Sequence, residues 1–410
     1  MGKRALIIAI VGLLLLLVGL PGLLDRLTHG MLNVGYGSPV PWAMWVAFYI
    51  YFIGLSAGAF LISSMVYVFG MRQFERIGRL ALFTALASLL TALLFIWFDL
   101  GHMERFFFVF TRASFTSPLA WIVWLYTFYL LLLLAEIWFV MRFSFVRGGE
   151  GKGFKAGLYR FLTFGARDLS PRAQERDRKI VRILGTIGVP LAIAFHGGTG
   201  TVFAVTVARA YWYTGLFPIM FLVSALASGG ALLTTIVAFA VPNGLGEHRE
   251  EVIGLGRLLV PLLFVDFLME IAEILVSLYG TVPAHFIPVR EQLFGPNWWI
   301  FWGLGMGMAL VGPMLILTFP GRRSALWTGI AGLLATIGFI GIRWNIVLPG
   351  FAVEELPGIG KSFFEPHWTY GLYIPSAMEW GVTLFSVGVG VLILALGFWL
   401  LPLRAEEAPA

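Results

Sequence analysis

The sequence predicts an all-α integral membrane protein with about ten transmembrane helices. Two observations carry this. Hydrophobic residues make up 59% of the chain against 12% charged, with a mean hydropathy of +0.88. The apolar residues also gather in runs of about 18 to 25, the length that crosses a hydrocarbon core as helix. A third observation closes off the alternative, because no segment shows the ten-residue alternation of a membrane-barrel strand.

The runs fall at 5–24, 40–69, 77–98, 117–142, 180–205, 213–241, 253–280, 297–319, 324–348 and 376–401. The first follows Lys3-Arg4 and has no small-residue cleavage site before the next run, so it reads as a retained helix and not a signal peptide. An even number of spans puts both termini on one side. The loop from Arg142 to Lys179 holds ten basic residues against four acids, and Arg72, Arg76, Arg79, Arg322, Arg323 and Arg404 lie beside spans on the same side. The positive-inside rule makes that side cytoplasmic, both termini included, and the expected location is the cytoplasmic (inner) membrane. The opposite face then carries Asp25 to Pro39, Asp99 to Thr116, Thr281 to Pro296 and the long Pro349 to Pro375 segment, where a partner or substrate surface is expected.

An internal repeat shows in two places. Leu55-Ser56-Ala57-Gly58-Ala59-Phe60 in the second span resembles Ala227-Ser228-Gly229-Gly230-Ala231-Leu232 in the sixth, and Gly78-Arg79-Leu80 resembles Gly256-Arg257-Leu258. Both pairs run in the same direction through the membrane, which predicts a parallel repeat of two four-helix bundles whose small residues permit close helix approach. The expected division is 1–39 for the first helix and outer loop, 40–210 for the first bundle with its basic loop 142–179, 211–348 for the second bundle, and 349–410 for the outer loop and last helix.

Cysteine is absent, so the chain forms no disulfide, attaches no c-type haem and supplies no thiolate to an iron-sulfur cluster. The net charge of +6 resides in loops beside spans, the pattern of membrane proteins, and nucleic acid is not expected as a partner. His29, His102, His285 and His367 fall in or near outer loops and only His196 is well inside a span, so no two histidines face one another as axial ligands for b-type haem. No metal site is expected.

Ionisable groups inside a bilayer cost several kcal/mol unless paired or hydrated, which makes each one a functional candidate. Asp99, His102, Glu104 and Arg105 follow the third span; Trp45 and Tyr49 lie one turn apart on the second; Tyr126 is on the fourth and His196 in the outer half of the fifth. A quinone needs an aromatic slot, donors for its carbonyl oxygens and a titratable group, and this set supplies all three. The structural alternative is an interfacial Asp99–Arg105 pair, a His196 bonded to a carbonyl and an aromatic belt. A second group, Asp266, Glu270 and Glu273, makes an acidic stripe along the seventh span, with Glu136 on the fourth span and Glu379 near the outer end of the tenth. The stripe is expected to relay protons or bind a cation, or else to pair with Arg343 and tie spans together.

Several motifs resemble the membrane subunits of the polysulfide reductase (NrfD/PsrC) superfamily, in its ten-helix branch found in Hmc-, Dsr/Hme- and Hyb-type complexes. They are Trp42 to Phe60; Asp99-Leu100-Gly101 with Glu104-Arg105-Phe106 and Ser117-Pro118-Leu119; Pro190 to His196 with Gly200, Trp212, Pro218 and Ser224-Ala225-Leu226; Arg343-Trp344-Asn345; and Tyr373 to Glu379. Ala120 departs from the serine usual after Ser-Pro-Leu. The resemblance implies a subunit with no haem or iron-sulfur cluster of its own, binding menaquinone or a related quinone near the outer face of the first bundle. It also implies a periplasmic or outer-face ferredoxin-like iron-sulfur subunit as partner. By that resemblance Trp45 and Tyr49 fall where the family's quinone-contacting residues lie, with Asp99, Tyr126 and His196 around them; the expected cofactor-binding residues are Trp45, Tyr49, Arg105 and Tyr126, and the expected reactive ones Asp99, His102 and His196.

The expected function is therefore that of a quinone-interacting subunit in a multi-subunit redox complex, coupled to proton transfer and not a complete enzyme alone. Glu136, Asp266, Glu270, Glu273 and Glu379 form the expected relay. The rivals are a secondary transporter with an acidic midplane site, which a parallel repeat also suits, and a structural anchor.

Overall fold

The computed structural model describes residues 2–37, 40–319, 323–352, 354, 358–362 and 373–403. Arg322, Arg404, His367 and most of the long segment before Pro375 lie outside the described residues.

The chain is an all-α membrane protein, with no strand among the described residues. Its main helices are α1 Lys3–His29, α2 Met44–Tyr67, α3 Gly78–Asp99, α4 Pro118–Gly149, α5 Phe154–Leu162, α6 Pro171–Ala204, α7 Phe217–Thr235, α8 Arg249–Gly280, α9 Pro283–Phe294, α10 Ile300–Thr318, α11 Ala325–Val347 and α12 Ala377–Leu400. Nine described helices are long and apolar enough to cross a membrane. Helix α8, at 32 residues, also has the length, but Asp266, Glu270 and Glu273 interrupt its apolar run. The first part of α10, Ile300–Val311, is wound as a π-helix.

Small residues set the closest crossings. A Cβ on Gly58 of α2 would lie 2.1 Å from the Ala225 carbonyl oxygen of α7, and one on Gly229 of α7 would lie 2.6 Å from the Ala59 amide nitrogen of α2. The two stretches that resemble one another in sequence are thus packed face to face, as small-residue helix faces in membranes allow. Helix α1 meets α12 in the same way: a Cβ on Gly19 would lie 2.3 Å from the Phe385 amide nitrogen, and Gly22 abuts Gly381. The outer flank of α1 leaves Ile7, Leu14 and Val18 exposed, as a lipid-facing surface requires.

The stretch from Arg142 to Lys179 is mostly helical, where the sequence pattern alone suggests a loop. Helix α4 continues to Gly149, α5 occupies Phe154–Leu162, and α6 begins at Pro171 with Ser170 accepting the Ala173 amide at 3.2 Å. An N-cap serine followed by proline is the usual start signal for a helix. The buried Arg142 guanidinium fastens this extension, donating to Asp177 at 2.5 Å and to the Asp168 carbonyl at 2.9 Å.

Candidate functional site

Three neighbouring groups of buried polar side chains lie toward the end of the helical body that carries Asp99.

The first closes that end. Asp99, the last residue of α3, accepts a hydrogen bond from the Tyr36 hydroxyl at 2.9 Å. Arg26 of α1 is buried and donates to the Phe98 and Leu100 carbonyls at 2.9 and 2.5 Å, fixing the end of α3. Glu379 is fully buried and accepts from the Gly35 amide at 2.7 Å, the Ser376 amide at 2.9 Å and the Tyr373 hydroxyl. With Ser376 accepting the Glu379 amide, this is a capping box that starts α12. The Trp45 indole donates to the Glu379 carbonyl at 3.1 Å. Burial first, and then the adjacent carboxyls, push the Tyr36 and Tyr373 phenols well above their ordinary range, so both remain donors.

The second is a hydroxyl chain. The Tyr49 and Tyr126 hydroxyls lie 2.5 Å apart, and Tyr126 also meets Thr199 Oγ1 at 2.7 Å. Thr199 donates back to the Phe195 carbonyl, so its hydroxyl accepts from Tyr126. Phe195 packs edge-on to Tyr126 with ring centroids 5.2 Å apart. At 1.5 Å per residue, Tyr49, Tyr126 and Thr199 lie about 8–12 Å along their helices from the Asp99 end.

The third lies one turn further along α6. His196 is fully buried, with its ring 5.9 Å from Phe221 of α7, and the Arg343 guanidinium of α11 stands 5.0 Å over the same Phe221 ring. A Cβ on Gly54 of α2 would lie 3.2 Å from Arg343 Nη2 and 3.6 Å from His196 Cε1, so that glycine leaves the space in which the two side chains approach. Asp266 and Glu270 of α8 are the acids that interact electrostatically with Arg343. The Phe221 backbone stands near His196, and the Ser224 hydroxyl near Asp266. Even so, neither ring nitrogen of His196, no guanidinium nitrogen of Arg343, neither oxygen of Asp266 and not Asn345 Nδ2 makes a well-formed hydrogen bond among the described residues. Buried polar atoms are rarely left so; their bonds go to water or to a bound polar molecule.

Other residues expected at the site stand apart. His102 and Arg105 flank Glu104 at 3.1 and 3.5 Å, and all three side chains are more than half exposed, at 65%, 56% and 67%. In their short helical turn, Met103–Arg105, Met103 packs on the core while Glu104 and Arg105 stay exposed. The expected relay acids fall in separate places. Asp266 and Glu270 face Arg343, Glu273 is half-buried, Glu136 is buried on α4 with neither oxygen hydrogen-bonded among the described residues, and Glu379 is held in the capping box. No described hydrogen-bond chain links them. His, Asp and Glu also form no cluster of three that could hold a metal among the described residues.

The sequence pattern did not single out Arg26, Tyr36, Gly54, Thr199 or Phe221. Thr199 follows His196 by three residues and so shares its face, a signal that helical periodicity could have given. Tyr36 and Arg26 could not be paired with Asp99 from spacing.

The family profile described as polysulphide reductase, NrfD, matches residues 33–354. The chain belongs to this family. The match includes Trp45, Tyr49, Asp99, Tyr126, His196, Asp266 and Arg343 and leaves out α1 and α12, so Arg26 and Glu379 brace the NrfD core from outside it. The chain is 40% identical to a subunit of the selenate reductase of Mesobacillus selenatarsenatis, over 95% of this chain and 92% of that one. It is 27% identical to the Hdr-like menaquinol oxidoreductase integral membrane subunit of Archaeoglobus fulgidus, over 93% and 90%. To the menaquinone reductase integral membrane subunit of Nitratidesulfovibrio vulgaris it is 23% identical, over 93% and 88%.

Proposed function

We propose that this chain is the quinone-handling membrane subunit of a multi-subunit oxidoreductase, exchanging electrons between a menaquinone-type quinone and an iron-sulfur partner docked at the Asp99 end. One observation carries the reading: fully buried donors without well-formed hydrogen bonds, His196 and Arg343, stand beside the Tyr49–Tyr126–Thr199 hydroxyl chain among aromatic walls. That donor set fits a flat molecule with two carbonyl oxygens. His196 and Arg343 would donate to the oxygens, the Tyr49–Tyr126–Thr199 chain would back the site with its protons donated along it, and Phe195 and Phe221 would line the ring. A bound quinone supplies two-electron chemistry accompanied by protons. The relatives named for menaquinol and menaquinone point the same way.

On this reading, Asp99 and Trp45 act by shaping the entrance through Tyr36 and Glu379, while His102 and Arg105 offer exposed charge to a partner. The Asp99 end faces outward and the basic stretch faces the cytoplasm of the inner membrane. Residues 40–210 and 211–348 form the two bundles, with the site built chiefly on the first. Asp266 and Glu270, with Glu273 and Glu136, pass protons to it.

Solvent extraction of the purified chain, with and without the His196→Ala change, tests the reading. A menaquinone-type quinone should accompany the parent and fall away in the variant while the protein stays folded. The buried Arg343, with Asp266 and Glu270 acting on it electrostatically, would also suit an ion transporter. Quinone-free protein that drives ion uptake in vesicles would establish that alternative instead.

A further inference from the structure

Helix α5 is too short to cross a membrane, at nine residues, yet it does not hang free. From Pro118 to Trp138, α4 covers about 30 Å at 1.5 Å per residue, the thickness of the hydrocarbon core. From Ala377 to Trp399, α12 covers about 33 Å. The two tryptophans therefore mark the headgroup level, where such side chains gather, and the rest of α4 projects beyond it. Helix α5 folds back to that level. The Trp138 indole donates to the Leu162 carbonyl at 2.8 Å, the Phe164 ring lies 6.3 Å from Trp138, and the Phe154 ring stacks on Trp399 at 6.5 Å.

One side of α5 packs inward through Ala156 and Tyr159, both buried. The other presents Phe154 and Phe161, with Phe164 just past the helix end; the three are 74%, 70% and 72% exposed. Phe154 and Phe161 are seven residues apart and share a face, and Phe161 touches Phe164 with centroids 6.0 Å apart. Lys152, Lys155, Arg160 and Arg167 are exposed or half-exposed around them, against the acids Glu150 and Asp168. Three exposed phenyl rings at the headgroup level beside an excess of basic residues match the composition of a helix lying in the membrane surface.

We propose that α5 is an interfacial helix whose phenyl rings enter the acyl boundary and whose lysines and arginines bind the phosphate of anionic phospholipids. A soluble protein docking on this face is the competing occupant. The charge balance and the alignment with Trp138 and Trp399 favour lipid, because the phenyl face continues the lipid-exposed flank of α4 at Phe128, Leu131 and Leu134.

The absence of cysteine makes a test direct. Phe161→Cys, and separately Phe154→Cys, give a single thiol for an environment-sensitive fluorophore in the full chain, reconstituted in discs of phosphatidylcholine with phosphatidylglycerol. Nitroxide-labelled lipid should quench the probe more than aqueous iodide does. Phosphatidylglycerol should also be retained over phosphatidylcholine on detergent extraction. Changing Lys152, Lys155, Arg160 and Arg167 to Gln should weaken that preference, by roughly fivefold for each charge removed. A probe reached by iodide and not by lipid nitroxide overturns the proposal. So does phosphatidylglycerol retention unchanged in the charge variant, or iodide protection that appears only when another protein is added. Should the fourfold variant fail to insert, the two cysteine variants still decide, since they leave the charges native.

Discussion

The Tyr49 and Tyr126 hydroxyls share one proton-bearing contact of 2.5 Å between α2 and α4, and Tyr126 passes it on to Thr199 of α6. Three helices are thus joined by hydroxyls in the half of the membrane that also holds His196. Because Tyr126 donates to Thr199, the Tyr49 hydroxyl donates to Tyr126, so the chain begins at Tyr49 and is anchored at Thr199.

Replacing Tyr49 by Phe removes the hydroxyl that begins this chain and keeps the ring packed on Tyr126. Quinol oxidation by the assembled complex should fall about tenfold, the worth of one hydrogen bond of about 1.4 kcal/mol, with subunit assembly intact. Steady-state kinetics with a soluble quinol analogue checks this. Unchanged kcat/KM would remove Tyr49 from the proposed site.

Glu270→Gln separates a proton route from a structural pair. If protons pass along α8, the variant should assemble and retain part of its quinone turnover while losing the accompanying pH change in vesicles. If Glu270 serves only to balance Arg343, neutralising it leaves buried positive charge poorly compensated at a cost of about 3–5 kcal/mol, and assembly should fail. A variant that assembles and moves protons like the parent would make α8 scaffold.

The α2–α7 crossing tolerates no added side chain. Gly229→Leu places atoms where the α2 backbone runs, and overpacking of this kind costs about 1–3 kcal/mol or more. The melting midpoint in detergent should drop, with a much smaller effect from Gly157→Leu, where a Cβ meets nothing within 4 Å. Equal effects at the two positions would contradict the packing described.

Orientation is open to proteolysis. A protease added to spheroplasts should leave the Arg142–Lys179 stretch intact and should cut it in inverted membranes. Helical protection of α5 predicts that the cuts fall before Phe154 or between Phe164 and Ser170. Cleavage from outside would place the Asp99 end at the cytoplasmic face.

The sequence by itself determined the membrane class, nearly all of the spans and the family, because apolar length and ordered local motifs survive in one dimension. It also marked single residues correctly as buried polar groups: His196, Asp266, Arg343 and Glu379 all lie inside the protein. The Ser376-Ala377-Met378-Glu379 capping box is local in the same way.

Tertiary structure decided which of these residues meet. Asp99 and His102 are three apart in sequence, yet Asp99 turns inward to Tyr36 while His102 stays in water, since the helix ends between them. His196 and Arg343 are far apart in sequence and approach each other beside Gly54 of α2, where a side chain would crowd the Arg343 guanidinium. Glu379 reads as one more membrane acid, but Gly35 of the loop after α1 and Tyr373 just before α12 both direct hydrogen bonds to it. Periodicity fixes which face of a helix is polar. Which helix that face meets depends on where small residues let backbones approach, and that is a property of the packed bundle.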